Sequence, residues 1–250
     1  MPKESTEESA GGRFPATRGS AVMAARSGDP EERQRAFDRI VSAYWKPIYK
    51  YIRVRWRKNP EDAQDLTQEF FARAIEKNYL AGYDPERARL RTYLRACTDN
   101  LIANEDRAAR AIKRGGQTCV VSLDFETVEG ELRNTHPPAT EDVEAFFEKE
   151  WVRSLFGMAL EQLRQDCVEK GKAVHFLLFE RYDLEPAGEL RPSYSDLALE
   201  FDIPLTDVTN HLSYARRTFR RITLEILREL TASEEEFQRE ARALLGVETT

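Results

Sequence analysis

Apolar residues recur every three or four positions along most of the chain, which is the spacing of amphipathic helices. The longest such stripe consists of Val208, Leu212, Ala215, Phe219, Ile222 and Ile226. Shorter stripes begin near residues 31, 60, 90 and 140. The pattern predicts an all-α protein.

Residues 193–228 predict a helix, a tight turn and a longer second helix. Ser193 and Asp196 have the spacing of a capping box at the start of the first helix. Asp202 occupies the turn, where a residue must tolerate positive φ, and Pro204 precedes the second helix. We interpret the segment as a helix-turn-helix.

The side of the second helix opposite the apolar stripe is polar. It carries Thr206, Asn210, Ser213, Arg217 and Arg221, flanked by Tyr214, Arg216 and Arg220. Hydroxyl and amide groups can read base edges, and arginines can hold phosphates, as in a helix that enters the major groove of DNA. The alternative is an amphipathic helical hairpin whose polar face only contacts water.

A second helix start is marked by an N-cap residue, a proline and two acids in the run Asn59-Pro60-Glu61-Asp62. The helix that follows exposes Asp62, Asp65, Gln68, Glu69 and Glu76. Acids favoured by the helix dipole account well for Asp62, but less well for Asp65 and Glu69, which lie further in. The acidic face suits docking to a basic partner helix.

The helix predicted over residues 90–113 follows a loop at 79–89 and has one basic, amide-bearing side. Its members are Arg87, Arg91, Arg95, Asn100, Asn104, Arg107, Arg110, Lys113 and Arg114. Such a side suits a nucleic-acid backbone, and Tyr83 or Tyr93 can stack on an unpaired base. Asn100 and Asn104 can equally be ordinary surface residues.

Composition shifts divide the chain into five parts. We predict a disordered leader at 1–30, a helical domain at 31–114, a flexible acidic linker at 115–139, a helix-turn-helix domain at 140–230 and a tail at 231–250. A Ser-x-x-Glu cap in the tail predicts one more short helix. The fold class is therefore all-α, with two small helical domains joined by the linker.

The net charge of −6 is unusual for a protein that binds nucleic acid. Arginine and lysine nevertheless cluster at 87–114 and 214–228, and a local basic face is what phosphate contact requires. The three cysteines have no C-x-x-C spacing, and we predict reduced thiols. The N-terminus lacks a signal-peptide core and no apolar run has the length of a membrane span, so we expect a cytoplasmic protein.

The sequence has no glycine-rich phosphate loop, no His/Cys cluster with metal-ligand spacing and no nucleophile with a nearby base. We therefore expect neither an enzyme nor a bound cofactor or metal.

Taken in order, the motifs DAQDLTQEFF, DPERARLRTYLRA and YSDLALEFDIPLTDVTNHLSYARRTFRR resemble those of bacterial RNA polymerase sigma factors, specifically the small two-domain extracytoplasmic-function class of the sigma-70 family. The resemblance spans roughly 31–114 and 140–230. It implies that the first domain binds core RNA polymerase and opens the −10 promoter element. It implies that the second domain reads the −35 element in the major groove.

The resemblance also implies residue roles. It assigns polymerase docking to Asp62, Asp65, Gln68, Glu69 and Phe71. It assigns −10 element contacts to Tyr83, Arg87, Arg91, Asn100, Asn104, Arg107 and Arg110. It assigns −35 element contacts to Thr206, Thr209, Asn210, His211, Tyr214, Arg217 and Arg221. The implied partners are core RNA polymerase and promoter DNA, and an anti-sigma factor or other regulator is a further class of partner that the resemblance allows.

Three residues depart from the family pattern. Asp202 replaces a usual turn glycine, Pro204 replaces a usual Ser or Thr cap, and Tyr93 stands in a melting segment that often carries Trp. Two other functions remain open. One is a stand-alone helix-turn-helix regulator that binds DNA without polymerase, and the other is a helical adaptor that does not bind DNA.

Overall fold

The computed structural model describes residues 20–109, 123–134, 142–185 and 191–246. Within these residues the chain forms α-helices and two short helical turns, and no strand. The α-helices are α1 (Ala21–Ala24), α2 (Pro30–Arg55), α3 (Pro60–Glu76), α4 (Leu90–Ala109), α5 (Phe125–Asn134), α6 (Val143–Glu169), α7 (Ala173–Phe179), α8 (Tyr194–Glu200), α9 (Leu205–Glu229) and α10 (Glu234–Leu245). A 3₁₀ turn spans Tyr79–Gly82 and a π-helical turn spans Glu180–Leu184. The predicted all-α class is confirmed for this part of the chain.

Side-chain caps begin two of the helices on which the sequence analysis depends. The Asn59 side chain accepts a hydrogen bond from the Asp62 amide at 2.7 Å, and Pro60 occupies the first turn of α3. At α8, Ser193 and Asp196 exchange side-chain and backbone hydrogen bonds as a complete capping box. Each cap satisfies backbone N–H groups that have no partner within the helix.

The long helices α2 and α6 pack against each other and form the centre of the molecule. The Tyr44 and Trp151 rings stack between them, with centroids 6.4 Å apart. Beside these rings, Lys50 Nζ donates to Glu150 Oε2 at 2.7 Å, and both side chains are at most 4 % exposed. One cluster of buried apolar residues therefore extends from α1 to α10.

This continuous core differs from the predicted pair of domains joined by a flexible linker. Within the predicted linker, Phe125–Asn134 is helical, and Phe125 packs edge-on against Trp45. Glu129 accepts a hydrogen bond from Tyr49 and a bidentate pair from Arg53, all on α2. Two of the acids in this segment, Glu129 and Glu131, are thus ion-paired to α2. The remaining linker residues, 115–122 and 135–139, lie outside the described residues.

The end of the predicted disordered leader is also ordered. Ser20 caps α1, and Val22 and Ala25 are fully buried. Arg26 donates from Nε to the Leu80 carbonyl at 2.9 Å. The segment is too short to show helical periodicity, which is why its order was not predicted. Residues 1–19 lie outside the described residues.

The C-terminal residues form α10, which Ser233 caps. Phe237 and Ala241 are buried on its inner face, together with the carboxylates of Glu236 and Glu240. The helix therefore lies against the body of the protein. None of the helices in the described ranges combines the length and the apolar character that a membrane crossing requires.

Candidate functional site

Helices α8 and α9 are joined by the four residues 201–204. Asp202 has φ of 50°, the left-handed conformation that the turn needs and that aspartate tolerates. Leu197 on α8 and Val208 and Leu212 on α9 are fully buried. This packing buries one side of α9 and leaves the opposite side exposed to solvent.

The outward side of α9 contains most of the residues assigned to the −35 element. Thr206, Thr209, Asn210, Arg217 and Arg221 are exposed, whereas His211 and Tyr214 are half-buried. The hydroxyl and amide groups lie in the first turns of α9, and the arginines lie further along it. The structure thus brings these side chains together on one accessible helix face.

The arginines of this face differ in their ion pairing. Within the described residues Arg217 has no ion-pair partner, and Arg221 pairs only with Glu225 on the same helix, at 2.6 Å. Arg216 is held by Asp183 through two hydrogen bonds of 2.8 and 3.0 Å. The Asp183 carboxylate accordingly raises the pKa of Arg216. Arg217 is therefore the most available cation of the three.

His211 is half-buried because its ring stacks on His175 of α7, with centroids 3.8 Å apart. The Tyr214 ring packs edge-on against His175, and Lys172 Nζ lies 3.9 Å from the centre of the Tyr214 ring. Burial, His211 and Lys172 together lower the pKa of His175. The sequence placed His175 in an apolar stripe but gave no sign of this pairing, because the two histidines are far apart along the chain.

The predicted polymerase-docking residues divide into exposed and internal groups. Asp62 and Asp65 are exposed in the first two turns of α3, and Gln68 is half-buried. The Glu69 carboxylate pairs with Arg73, and Arg73 also donates to Glu105 of α4 at 2.6 Å. Glu69 is therefore only partly available to a partner protein. Asp62 and Asp65 thus form the accessible acidic part of the helix.

Phe71 differs from the predicted docking face. It is 3 % exposed, and its ring packs edge-on against Phe70 with centroids 5.1 Å apart. Phe70 and Phe71 are adjacent in the sequence, and the family resemblance assigns only Phe71 to polymerase docking. Both belong to the core.

Tyr83 and Arg91, assigned to the −10 element, are also internal. Tyr83 Oη donates to Glu236 Oε1 at 2.6 Å, and burial together with this carboxylate raises the pKa of Tyr83. Arg91 donates from Nη1 to Glu240 Oε2 at 2.6 Å and from Nε to Glu148, and its guanidinium lies 4.4 Å from the centre of the Trp151 ring. Tyr83 and Arg91 are therefore buried in this structure, and their contact with the −10 element stays a prediction.

Burial alone would lower the pKa of Arg91, but the Glu240 and Glu148 carboxylates outweigh it and raise that pKa. Arg95, on the same side of α4, pairs with Glu144 at 2.7 Å. Arg89 pairs with Glu240 at 3.1 Å. Of the basic side predicted from the sequence, Arg91 and Arg95 are thus neutralised by carboxylates of α6 and α10.

The other residues assigned to the −10 element are either exposed or have side chains that are not described. Arg87 is exposed and pairs with Asp84 in its own loop at 3.2 Å, and Asn100 and Asn104 are exposed. Arg107 is in α4, but its side chain is not among those described, and Arg110 lies outside the described residues.

Glu236 and Glu240 are partners of this region that no motif in the sequence predicts. Each is about 2 % exposed, and they lie 146 or more residues along the chain from the groups they bind on α4 and the preceding loop. A signal of their burial was nevertheless present in the sequence. Glu236 and Glu240 share one face of the predicted helix with the apolar residues Phe237 and Ala241.

One family model matches the part of the chain that contains the predicted polymerase-docking and −10 residues. Residues 40–112, which include α3, the loop and α4, match the family model described as Sigma-70 region 2. The match supports a sigma factor of the sigma-70 family, a non-enzymatic class of transcription initiation factor whose members act with core RNA polymerase at promoter DNA. No curated protein and no solved structure shows significant similarity to the chain.

Proposed function

We propose that this protein is a sigma factor of the extracytoplasmic-function class that directs core RNA polymerase to one class of promoters. The observation that carries the proposal is the sigma-70 region 2 match over residues 40–112 in a chain that also has an exposed polar face on α9. The matched region contains the proposed polymerase-binding surface, and the α9 face is the proposed DNA-binding surface.

The acidic start of α3 is the proposed polymerase-docking surface, and Asp62 and Asp65 are its central residues. Both carboxylates are exposed in the first two turns of α3, and Asp62 lies nearest the positive end of the helix dipole, which favours an acid there. Exposed charges of this kind steer and orient a basic partner surface. Gln68 and the partly paired Glu69 extend the same surface.

The outward face of α9 is the proposed reader of the −35 element. Thr206, Thr209 and Asn210 offer donors and acceptors at the start of the helix, where a recognition helix reaches base edges. Arg217 and Arg221 lie further along and can hold phosphates, which sets the orientation of the helix on the duplex. His211 and Tyr214 support this face through His175.

The loop before α4 and the basic side of α4 are the proposed −10 surface. Arg87, Asn100 and Asn104 are exposed for this role. Tyr83 and Arg91 can take part only when their contacts with α10 are broken. Arg107 and Arg110 keep the role that the family resemblance gives them.

A stand-alone DNA-binding regulator is the second candidate, and one observation favours it. The α9 face is accessible while Tyr83 and Arg91 are covered, so the isolated chain offers one surface for duplex DNA and no complete surface for a melted strand. Such a regulator would bind duplex DNA tightly without polymerase. Dimeric regulators of this kind use two-fold symmetric sites.

The experiment that tests the proposal is co-purification of the full chain with bacterial core RNA polymerase, followed by sequencing of the promoter DNA that the complex retains. A stable complex with a shared upstream sequence supports the sigma-factor function. Failure to bind core polymerase, together with tight binding of the isolated chain to a palindromic duplex, supports the regulator instead.

A further inference from the structure

Helix α10 covers the part of the structure that the proposed function requires for a melted DNA strand. Its Glu236 carboxylate accepts from the Tyr83 hydroxyl at 2.6 Å and from the Leu90 amide at 3.4 Å. Its Glu240 carboxylate pairs with Arg91 at 2.6 Å and with Arg89 at 3.1 Å. One helix thus occupies an aromatic ring, a backbone donor and two guanidinium groups.

The chemistry of these contacts is that of a polyanion. Guanidinium groups bind carboxylates and phosphates with the same planar, charge-assisted hydrogen bonds. The two carboxylates, one helical turn apart, therefore hold guanidinium groups that are chemically able to bind the phosphates of a single strand. Arg91 also pairs with Glu148 and lies against Trp151, so release of α10 would free only the part of its guanidinium that Glu240 holds.

The docking of α10 is reversible on physical grounds. The helix has 12 residues, and a helix of this length is marginal without its contacts. Only Phe237 and Ala241 are buried apolar residues on it. Its polar attachment consists of hydrogen bonds to Glu236 and ion pairs of Glu240, in which desolvation offsets much of the attraction. Arg228 of α9 also contacts Glu234 and the Phe237 ring. Local opening of such an element requires less free energy than global unfolding.

We propose that α10 is an autoinhibitory latch, in which Glu236 and Glu240 occupy Tyr83, Arg89 and Arg91 until a single-stranded nucleic acid displaces them. The proposal rests on the proposed function, since it concerns regulation of the −10 surface. It explains why residues assigned to that surface are buried in the free protein. Core polymerase or a regulator that binds α10 would favour the open form by binding only that form.

One feature of α10 favours the opposite interpretation. Arg239 lies with Arg87 and Arg89 around a cleft of about 250 Å³ beside residues 85–89. A permanently docked α10 would add Arg239 to the phosphate-binding surface. In that case, removing a negative charge that holds α10 in place would weaken the binding of nucleic acid, whereas release of a latch would strengthen it.

The test uses the full chain without polymerase and a fluorescein-labelled single-stranded DNA of mixed sequence, with binding measured by anisotropy at fixed salt. Glu240→Gln preserves the shape of the side chain and removes its charge. We expect it to bind the probe at least about threefold more tightly than wild type, because apparent affinity follows the fraction of open molecules. The matched control is Glu235→Gln, an exposed glutamate on the same helix, which should leave affinity almost unchanged.

Two further measurements test whether the gain in affinity for the probe comes from the release of α10. Hydrogen exchange of α10 and of residues 83–90 should be faster in Glu240→Gln, and adding Arg91→Gln should abolish the gain in affinity. If Glu240→Gln fails to fold, Tyr83→Phe provides a second route, because it removes only the hydroxyl that Glu236 holds. Tyr83→Phe should also accelerate exchange of α10 and strengthen binding.

Unchanged or weaker binding to the probe in a folded variant with faster α10 exchange would overturn the latch. Weaker binding in both Glu240→Gln and Arg239→Gln would do the same and would indicate a fixed α10. Neither result depends on polymerase. Loss of polymerase binding by the wild-type chain would instead overturn the proposed function and leave the latch result standing.

Discussion

Lys50 of α2 and Glu150 of α6 form a buried ion pair, with Nζ and Oε2 2.7 Å apart, at the junction between the two segments that the sequence separates as domains. Lys50 Nζ also contacts Glu131 of α5 at 2.7 Å, and Glu150 is also paired with Arg153. The three helices α2, α5 and α6 therefore meet at one set of charges. Since a buried charge without its partner is costly, this set specifies how the segments pack.

The first prediction concerns this junction. Lys50→Met leaves Glu150 buried with only Arg153, and we expect it to lower the free energy of unfolding by about 3 kcal/mol. Lys46→Met is the matched control, because Lys46 pairs with the same Glu131 but is 36 % exposed; its cost should be under about 1 kcal/mol. Urea unfolding measures both. Equal effects of the two variants would show that the buried junction has no special role.

The second prediction concerns the pH dependence of the α7–α9 contact. The pKa of His175 is lowered in the folded protein, so the unfolded chain binds a proton more readily. Stability from this group is therefore present above the unfolded histidine pKa of about 6.5 and is lost as the pH falls below it. The charged and titratable groups around the ring are His211 and Tyr214 of α9 and Lys172 before α7.

Thermal unfolding followed by far-UV circular dichroism tests this dependence. We expect the Tm of wild type to fall on acidification from about pH 7.5 to about pH 5.5, the range in which histidine titrates. His175→Phe keeps an aromatic ring against His211 and removes the titrating group, so its Tm should fall less over the same range. Parallel Tm profiles for the two proteins would exclude His175 as the source.

The third prediction concerns DNA binding by α9. Arg217→Gln should weaken binding to promoter duplex and reduce the slope of log affinity against log salt by about one, as expected for one lost phosphate contact. Arg164→Gln on α6 is the charge-matched control, since Arg164 is exposed and pairs with Glu161 on its own helix. Fluorescence anisotropy over a salt series measures the slope. An unchanged slope for Arg217→Gln would remove Arg217 from the DNA-binding face.

The fourth prediction concerns polymerase docking by α3. Asp65→Arg reverses an exposed charge without touching the core, and we expect about tenfold weaker binding to core polymerase. Glu169→Arg, an exposed reversal at the end of α6, is the control and should have little effect. Surface-bound core polymerase and a titration of each variant measure the affinities. Binding of Asp65→Arg at wild-type strength would place the docking surface elsewhere.

Local signals in the sequence predicted the longer helices, but neither α1 and α5 nor the burial of charged groups. Asn59 with Pro60, and Ser193 with Asp196, predicted helix starts because a cap acts within one turn. The outward face of α9 was also predictable, since helical periodicity separates it from the buried stripe. These features depend on residues that are near one another in the chain.

The misplaced residues have partners far away in the chain. The arginines around Arg91 form a regular basic side of α4, and nothing nearby in sequence shows that Glu148 and Glu240 neutralise Arg91. Tyr83 is buried for the same reason, through Glu236. The acidic residues of α5 favour a solvated linker when only the sequence is considered, because their partners on α2 lie about 80 residues earlier. Tertiary ion pairs therefore set the limit of prediction from the sequence.

The most direct measurement of the central claim is transcription in vitro with purified bacterial core RNA polymerase and the full chain on fragmented genomic DNA, with sequencing of transcript 5′ ends. The sigma-factor account predicts that the chain binds the core enzyme and that transcripts start downstream of one shared pair of −35 and −10 elements. Absence of binding to the core enzyme, or transcript starts no different from those of core enzyme alone, would contradict it.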